Sequence, residues 1–350
     1  MKRLTFLLIV LTTTLFGQKI PKNIVILIGD GMGITQITGG WIYKRGHLPL
    51  KRFTDVGLMT VHPIDALITD SAAGATAFAC GKKTRVGMLG VDSAGRPLTN
   101  LFDIARKHKK KVGVISTVAV VDATPAAFVA HVPHRRMYDS IAVQYLHNMP
   151  DVVIGGGRKF FESHLLPTAK TYRRLRRKGY DIITHPDSIV YASRKRLIAL
   201  VADVDLPPPA RRKLFSLMAW NTAHRLLSKN KHGYVLMIEG GQIDRACHAN
   251  HPDWYRQEII DFFNVVEDVL HQAEKDGETL VIVLADHETG GLAIPHGDLT
   301  TGEAELKWTT GHHTADLIPV FAYGPGSERF RGVYDNTDIF RKLRALIEAR

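Results

Sequence analysis

Three segments place acids, histidines and glycines where a cation-dependent reaction would need them. Gly29-Asp30-Gly31-Met32-Gly33 follows the apolar run at residues 24–28. Glu239-Gly240-Gly241-Gln242-Ile243-Asp244 follows a second run at 234–238, with His248 four residues beyond Asp244. Asp286-His287-Glu288-Thr289-Gly290-Gly291 follows a third at 279–284. Taken singly, each reads as a turn or a helical pair, because Asp-Gly and Glu-Gly commonly mark turns. Taken jointly, three buried strands that end in acid plus glycine would bring several carboxylates to one place. Carboxylates that close repel one another and resist ionisation, so a bound cation is the expected remedy.

Thr69-Asp70-Ser71-Ala72-Ala73-Gly74-Ala75-Thr76-Ala77 predicts a short buried helix that ends at Gly81 and starts with Ser71. In isolation Asp70 or Ser71 is a helix N-cap. A helix N-terminus also binds phosphate through its free N–H groups and dipole. A serine there, beside a metal ion, would have a lowered pKa and could act as a nucleophile. Asp122-Ala123-Thr124-Pro125 opens a stretch that continues to His131, Pro133, His134, Arg135 and Arg136. An arginine near a metal–serine site would clamp phosphate oxygens in a bidentate manner, and composition alone does not separate Arg135 from Arg136. One of His312 and His313 would complete a metal site. The glycines at 29, 31 and 33 do not make a dinucleotide loop, since Gln36 stands where the last glycine is required.

The elements that carry these residues are short apolar runs at 24–28, 112–115, 152–154, 234–238, 279–284 and 318–323, which alternate with helical patterns. Residues 253–275 have apolar positions at a helical period, with Pro252 ahead and Gly277 behind. Continuous apolar strands separated by helices predict a mostly parallel central sheet covered on both faces, a three-layer α/β/α sandwich. Residues 18–350 are read as one catalytic domain, with a basic helical insertion at about 159–228.

A hydrophobic content of 45% with 23% charged residues argues against disorder and against a channel. The net charge of +12 lies entirely in one segment: residues 158–231 hold 17 Lys/Arg against five Asp/Glu, and the remainder is neutral. Localised rather than interleaved with aromatics, it reads as a solvated helical face, with a field that would attract anionic substrates, and specific nucleic-acid binding is not expected. Lys2 and Arg3 precede an apolar run and a small-residue zone, so residues 1–17 are read as a cleaved signal peptide. No later segment is long and apolar enough to span a bilayer. The two cysteines, Cys80 and Cys247, suggest packed thiols rather than a disulfide framework.

At these residues the chain resembles the alkaline phosphatase family. The likeness runs from residue 23 to about 339, on six stretches in the family's order: G-D-G-M-G, T-D-S-A-A-G-A-T-A, D-A-T-P-A-A, E-G-G-Q-I-D with His248, A-D-H-E-T-G-G and G-H-H-T. The resemblance implies an exported hydrolase of small-molecule phosphate monoesters, periplasmic or secreted, with a phosphoseryl intermediate on Ser71. One zinc would be held by Asp244, His248 and His313, a second by Asp30, Asp286 and His287, and a magnesium by Asp30, Thr124 and Glu239. Imidazoles with carboxylates suit zinc, and an all-oxygen set suits magnesium. Arg135 would clamp the phosphate, and Arg245 is expected to pair with Asp122 beside it. An acid rather than a histidine at 122 favours magnesium in the third site. The short His287–His313 spacing implies a reduced decorating subdomain, which leaves a homodimer open. A phosphodiesterase or sulfatase of the same superfamily is the runner-up, although Ser71-Ala72-Ala73-Gly74 lacks the modifiable cysteine a sulfatase needs. A non-catalytic anion-binding periplasmic protein is the alternative of another class, and the full ligand set with Ser71 argues against it.

Overall fold

The computed structural model describes residues 20–162 and 169–349. The leader expected at 1–17 lies outside the described residues. In chain order the strands are β1 (Asn23–Gly29), β2 (Asp55–Thr60), β3 (Lys111–Ala119), β4 (Val152–Gly156), β5 (Tyr180–Ile183), β6 (Arg196–Leu200) and β7 (Tyr234–Gly240). They continue as β8 (Thr279–Leu284), β9 (Glu288–Thr289), β10 (Leu292–Asp298), β11 (Glu303–Trp308), β12 (His313–Thr314), β13 (Ile318–Tyr323) and β14 (Gly332–Asp335).

Ten of them form one sheet in the order β14-β2-β13-β8-β1-β7-β3-β4-β6-β5. Every pairing is parallel except those of β13, which runs antiparallel to β2 and β8. The central strands β1, β7 and β8 are buried at every residue. Their continuous apolar sequences satisfy two covered faces at once, and each fully buried Leu, Ile or Val contributes roughly 1.5–3 kcal/mol. Helices Ile34–Tyr43, Phe215–Leu227 and Pro252–Asp276 pack together as one layer, and Ser71–Cys80, Leu101–Lys107 and Thr337–Glu348 as another. The chain is thus an α/β/α sandwich. No helix among the described residues is long and apolar enough to cross a membrane. Cys80 and Cys247 are both free and buried.

The reading of residues 159–228 as a helical insertion needs correction. The segment carries β5 and β6, which extend the main sheet at one edge through parallel pairs such as Ile182 with Ile198. The apolar run that β6 opens, residues 197–202, follows directly on Arg194, Lys195 and Arg196 and ends at Asp203. Its strand character was therefore masked in the basic run. The short, alternating β2 and the edge strand β14 were likewise invisible to a search for continuous apolar runs.

Gly81 ends the helix Ser71–Cys80 in the left-handed conformation, with φ 73°. A Cβ there would also stand 2.3 Å from Phe340 Cδ1. Gly81→Ala should therefore lower unfolding stability by about 2 kcal/mol. Urea denaturation followed by circular dichroism reads this, and an unchanged midpoint would show that the helix end adapts freely.

Candidate active site

Because β8, β1 and β7 are parallel neighbours, their carboxyl ends lie side by side. Gly29 pairs with Gly240 and Ile28 with Leu284, so Asp30, Asp286 and the turn from Glu239 to Asp244 leave the sheet at one level. Gly31 makes the exit from β1 with φ 70°, and a Cβ on it would meet Thr289 Oγ1 at 2.7 Å.

Two groups of ligand atoms form there, each within a 4.8 Å span: Asp30 with Asp286 and His287, and Asp244 with His248 and His313. In the first, His287 Nε2 lies 3.5 Å from Asp30 Oδ1 and 3.3 Å from Asp286 Oδ2. Asp286 Oδ1 accepts the N–H groups of Gly31 and His287, which turns Oδ2 toward the centre. In the second, His248 Nε2 lies 3.3 Å from Asp244 Oδ1 and 3.1 Å from His313 Nε2. The rings of His287 and His313 stack at 3.5 Å between centroids, joining the two groups.

Hydrogen bonds on the far side of each imidazole fix its tautomer. His248 Nδ1 faces Gly311 O at 2.7 Å and His313 Nδ1 faces Thr69 O at 2.8 Å. A carbonyl oxygen can only accept, so both Nδ1 atoms carry hydrogen and both Nε2 atoms face inward, the orientation that metal ligands require. Thr289 Oγ1 gives its one hydrogen to Asp244 Oδ1 at 2.6 Å, so it accepts from His287 Nδ1 at 3.2 Å. His287 thereby takes the same tautomer.

Electrostatics point to cations. Burial, and then Asp286, Asp244 and Glu239, push the Asp30 carboxyl well above the usual range. Burial raises Asp286 and carries Glu239 up to about 8. His287 is driven well below its ordinary value by burial and by His313, so it is neutral and free to ligate. Asp30 Oδ1, Asp286 Oδ2 and Thr124 Oγ1 are buried with no hydrogen-bond partner. Such orphaned atoms cost about 1–3 kcal/mol each, a penalty that a coordinated cation removes. The donor sets fit metal ions. Glu239 belongs to neither group: its carboxylate accepts from Ser116 of β3.

Ser71 is the first residue of its helix, and its Oγ lies 3.2 Å from His287 Nε2. Asp70, the N-cap, accepts from the N–H of Ala73 and of Gly87, and its other oxygen accepts from Arg135 Nη1 at 3.0 Å. Arg135 Nη2 donates to Asp122 Oδ1 at 3.1 Å, and Arg245 Nη2 donates to Asp122 Oδ2. Burial raises the Asp122 carboxyl, yet Arg135 and Arg245 outweigh it and hold the group below the usual range. Both guanidiniums border a cleft of about 690 Å³ that also exposes Ser71, Asp244 and His248. Arg136 and His312 lie on its exposed rim, so the structure separates each from its neighbour: Arg135 is locked by two acids, and His313 is inside a ligand group.

Three supporting residues were not assigned roles from the sequence. Thr289, at the end of the Asp-His-Glu-Thr stretch, bridges the two ligand groups through Asp244 and His287. Asp70 was read as a cap and also positions Arg135. Asp205 lies 3.6 Å from Arg245 Nε and accepts the Ala119 N–H; inside the basic segment, nothing in its spacing marked it.

A buried hydroxyl, two metal-ligand groups and paired guanidiniums around one cleft at the carboxyl ends of an α/β sheet define a phosphoryl-transfer site. The family model for alkaline phosphatase matches residues 21–303 and 296–349. Alkaline phosphatase H of Pseudomonas aeruginosa is 31% identical over an alignment 412 positions long, covering 95% of this chain and 87% of that protein. The Escherichia coli K12 alkaline phosphatase is also 31% identical, with 95% and 87% covered. The structure of the alkaline phosphatase from the Antarctic bacterium TAB5 matches with a TM-score of 0.87 at 36% identity, over 95% of this chain and 99% of that one. The chain belongs to the alkaline phosphatase family. It is a phosphatase, and the chemistry of that family is phosphate monoester hydrolysis.

The raised Glu239 value means that the metal-free folded state holds its proton more tightly than the unfolded chain does. Stability from this group is present below about 4.5 and is lost as pH rises through about 8. Chelator-treated protein should therefore weaken over that window, and Glu239→Gln should flatten the decline in urea midpoints. Identical slopes for the two proteins would remove Glu239 as the cause.

Proposed function

We propose that the chain hydrolyses phosphate monoesters through a phosphoseryl intermediate on Ser71, with two zinc ions and one magnesium. Asp244, His248 and His313 would hold one zinc, Asp30, Asp286 and His287 the other, and Asp30, Thr124 and Glu239 the magnesium. When bound, the metals supply positive charge that lowers the Ser71 pKa and balances the departing ester oxygen. The carrying observation is the position of Ser71 Oγ, 3.2 Å from His287 and beside both ligand groups, on the cleft that Arg135 borders.

Ser71 Oγ forms the new P–O bond as the ester oxygen leaves with its carbon chain. Water then breaks the phosphoseryl P–O bond, releasing phosphate and restoring the serine. Arg135 holds two phosphate oxygens throughout, and Asp70 and Asp122 keep its planar fork oriented. Arg245 adds a second guanidinium whose charge is partly offset by Asp122 and Asp205. That offset favours product release, because a site with two uncompensated cations would retain phosphate. An oxygen-only third site with Asp122 nearby supports magnesium there, and a TAB5 alkaline phosphatase variant with histidine replaced by aspartate has Mg bound in its M3 site. Export is part of this reading and rests on Lys2, Arg3 and the apolar run after them.

Purified protein should turn over an aryl phosphate monoester far faster than the matching diester, and chelation should abolish turnover. A preference for the diester, or indifference to chelation, overturns the reading. Ser71→Ala should lower kcat at least about a thousandfold, with bound metal retained by elemental analysis; equal activity contradicts the role given to the serine.

A further inference from the structure

The parallel strands β7, β3, β4, β6 and β5 all begin on the edge of the sheet opposite the active site. The chain enters four of them through basic runs: Lys107 to Lys111 before β3, Arg176 to Lys178 before β5, Arg194 to Arg196 before β6, and Lys229 to His232 before β7. Hydrogen bonds stitch the runs together. Lys111 Nζ donates to Lys195 O, Asn230 Nδ2 to Lys109 O, and Arg196 N to Gly179 O. Of the acids at this edge, Asp151 is engaged by Arg196, Asp181 by Arg194 and Glu278 by Lys22, and Asp276 accepts from the N–H groups of Glu278 and Thr279 at the start of β8. Lys107, Lys109, Lys178, Lys195, Lys229 and Lys231 are exposed, and among the described residues none is in an ion pair. Burial lowers the Lys111 ammonium; Asp151 opposes this, and Arg196, Lys195 and Lys229 add to it.

Beside the runs stands an apolar projection. Tyr191 is 81% exposed and Val190 is 42% exposed. Arg225 Nη2 braces their turn by donating to Val190 O and Ala192 O. Gathering like charges without counterions is unfavourable in the free protein, so a polyanionic partner would relieve it. An exposed tyrosine and valine at the margin of a lysine-rich face match the interface of an anionic bilayer, where the ring sits at headgroup depth and lysines meet phosphates. Bare duplex nucleic acid offers no place for the pair.

We propose that this amino-end face docks on an anionic lipid surface, seated through Tyr191 and Val190, which leaves the active-site cleft on the opposite edge open to soluble esters. The test is co-sedimentation of the full chain with phosphatidylcholine vesicles, with and without about 30% phosphatidylglycerol. Partition to the anionic vesicles should be more than about tenfold stronger and should collapse in about 0.5 M salt. Residues 1–17, which carry Lys2 and Arg3, are common to the wild type and every variant, so the lysine and tyrosine substitutions are what assign the partition to this face. Replacing Lys107, Lys109, Lys195 and Lys229 by Gln should remove more than about tenfold of the partition, with phosphatase turnover unchanged as the check on folding. Tyr191→Ser, with charge untouched, should weaken partition severalfold. Equal binding to neutral vesicles, wild-type partition in the lysine variant, or tight binding to DNA with none to vesicles would each overturn the proposal.

Discussion

Four carboxylates, Asp30, Glu239, Asp244 and Asp286, are held at the ends of three adjacent buried strands, and the surrounding structure is arranged around that concentration of like charge. Each is 7% exposed or less. A protein interior screens such groups poorly, so the same burial that packs the sheet drives protons onto Asp30, Glu239 and Asp286. Only positive charge placed among them reverses this. The three imidazoles beside them are oriented with hydrogens on their outer nitrogens and Nε2 turned inward, and burial drives His287 well below its ordinary value. Carbonyls of Gly311 and Thr69, and the Thr289 hydroxyl, do that positioning.

The other half of the site balances charge by pairing rather than by coordination. Asp122 lies between Arg135 and Arg245, Asp70 takes the other end of Arg135, and Asp205 reaches the other side of Arg245. A buried acid flanked by two guanidiniums remains ionised, in contrast to Asp30 a short distance away. The two environments show how one cleft sustains groups driven in opposite directions: burial dominates where acids face acids, and ion pairing dominates where an acid faces arginines. Ser71 lies where the two meet.

The sheet also separates charge along its strands. Acids and histidines collect at the carboxyl ends, and lysines and arginines at the amino ends of the strands from β7 to β5. Parallel topology makes this possible, because every loop of one kind falls on one edge. A chain with mixed strand directions would have scattered the same residues over both edges.

Asp30, Asp244 and His248, and Asp286 and His287 were legible from the sequence because each follows a continuous apolar run. A doubly covered parallel strand writes its burial directly into residue type, and a ligand placed just past its end inherits that address. Ser71 and its helix were legible for a similar reason, as small residues ending at Gly81 leave little choice of local structure. β5 and β6 were not: β5 is a four-residue edge strand, and β6, buried between β4 and β5, stands among charged residues that hide its apolar run. Choosing Arg135 over Arg136, or His313 over His312, lies beyond any local pattern, because neighbouring residues of one type differ only in what they face. The tertiary structure decided it by setting Asp70 and Asp122 against one guanidinium, and Asp244 and Thr69 against one imidazole. Asp205 and Thr289 belong to the same category. Asp244 lies 45 residues from Thr289 and Arg245 about 40 from Asp205 along the chain, and only the folded sheet, by bringing its strand ends together, gives them a task.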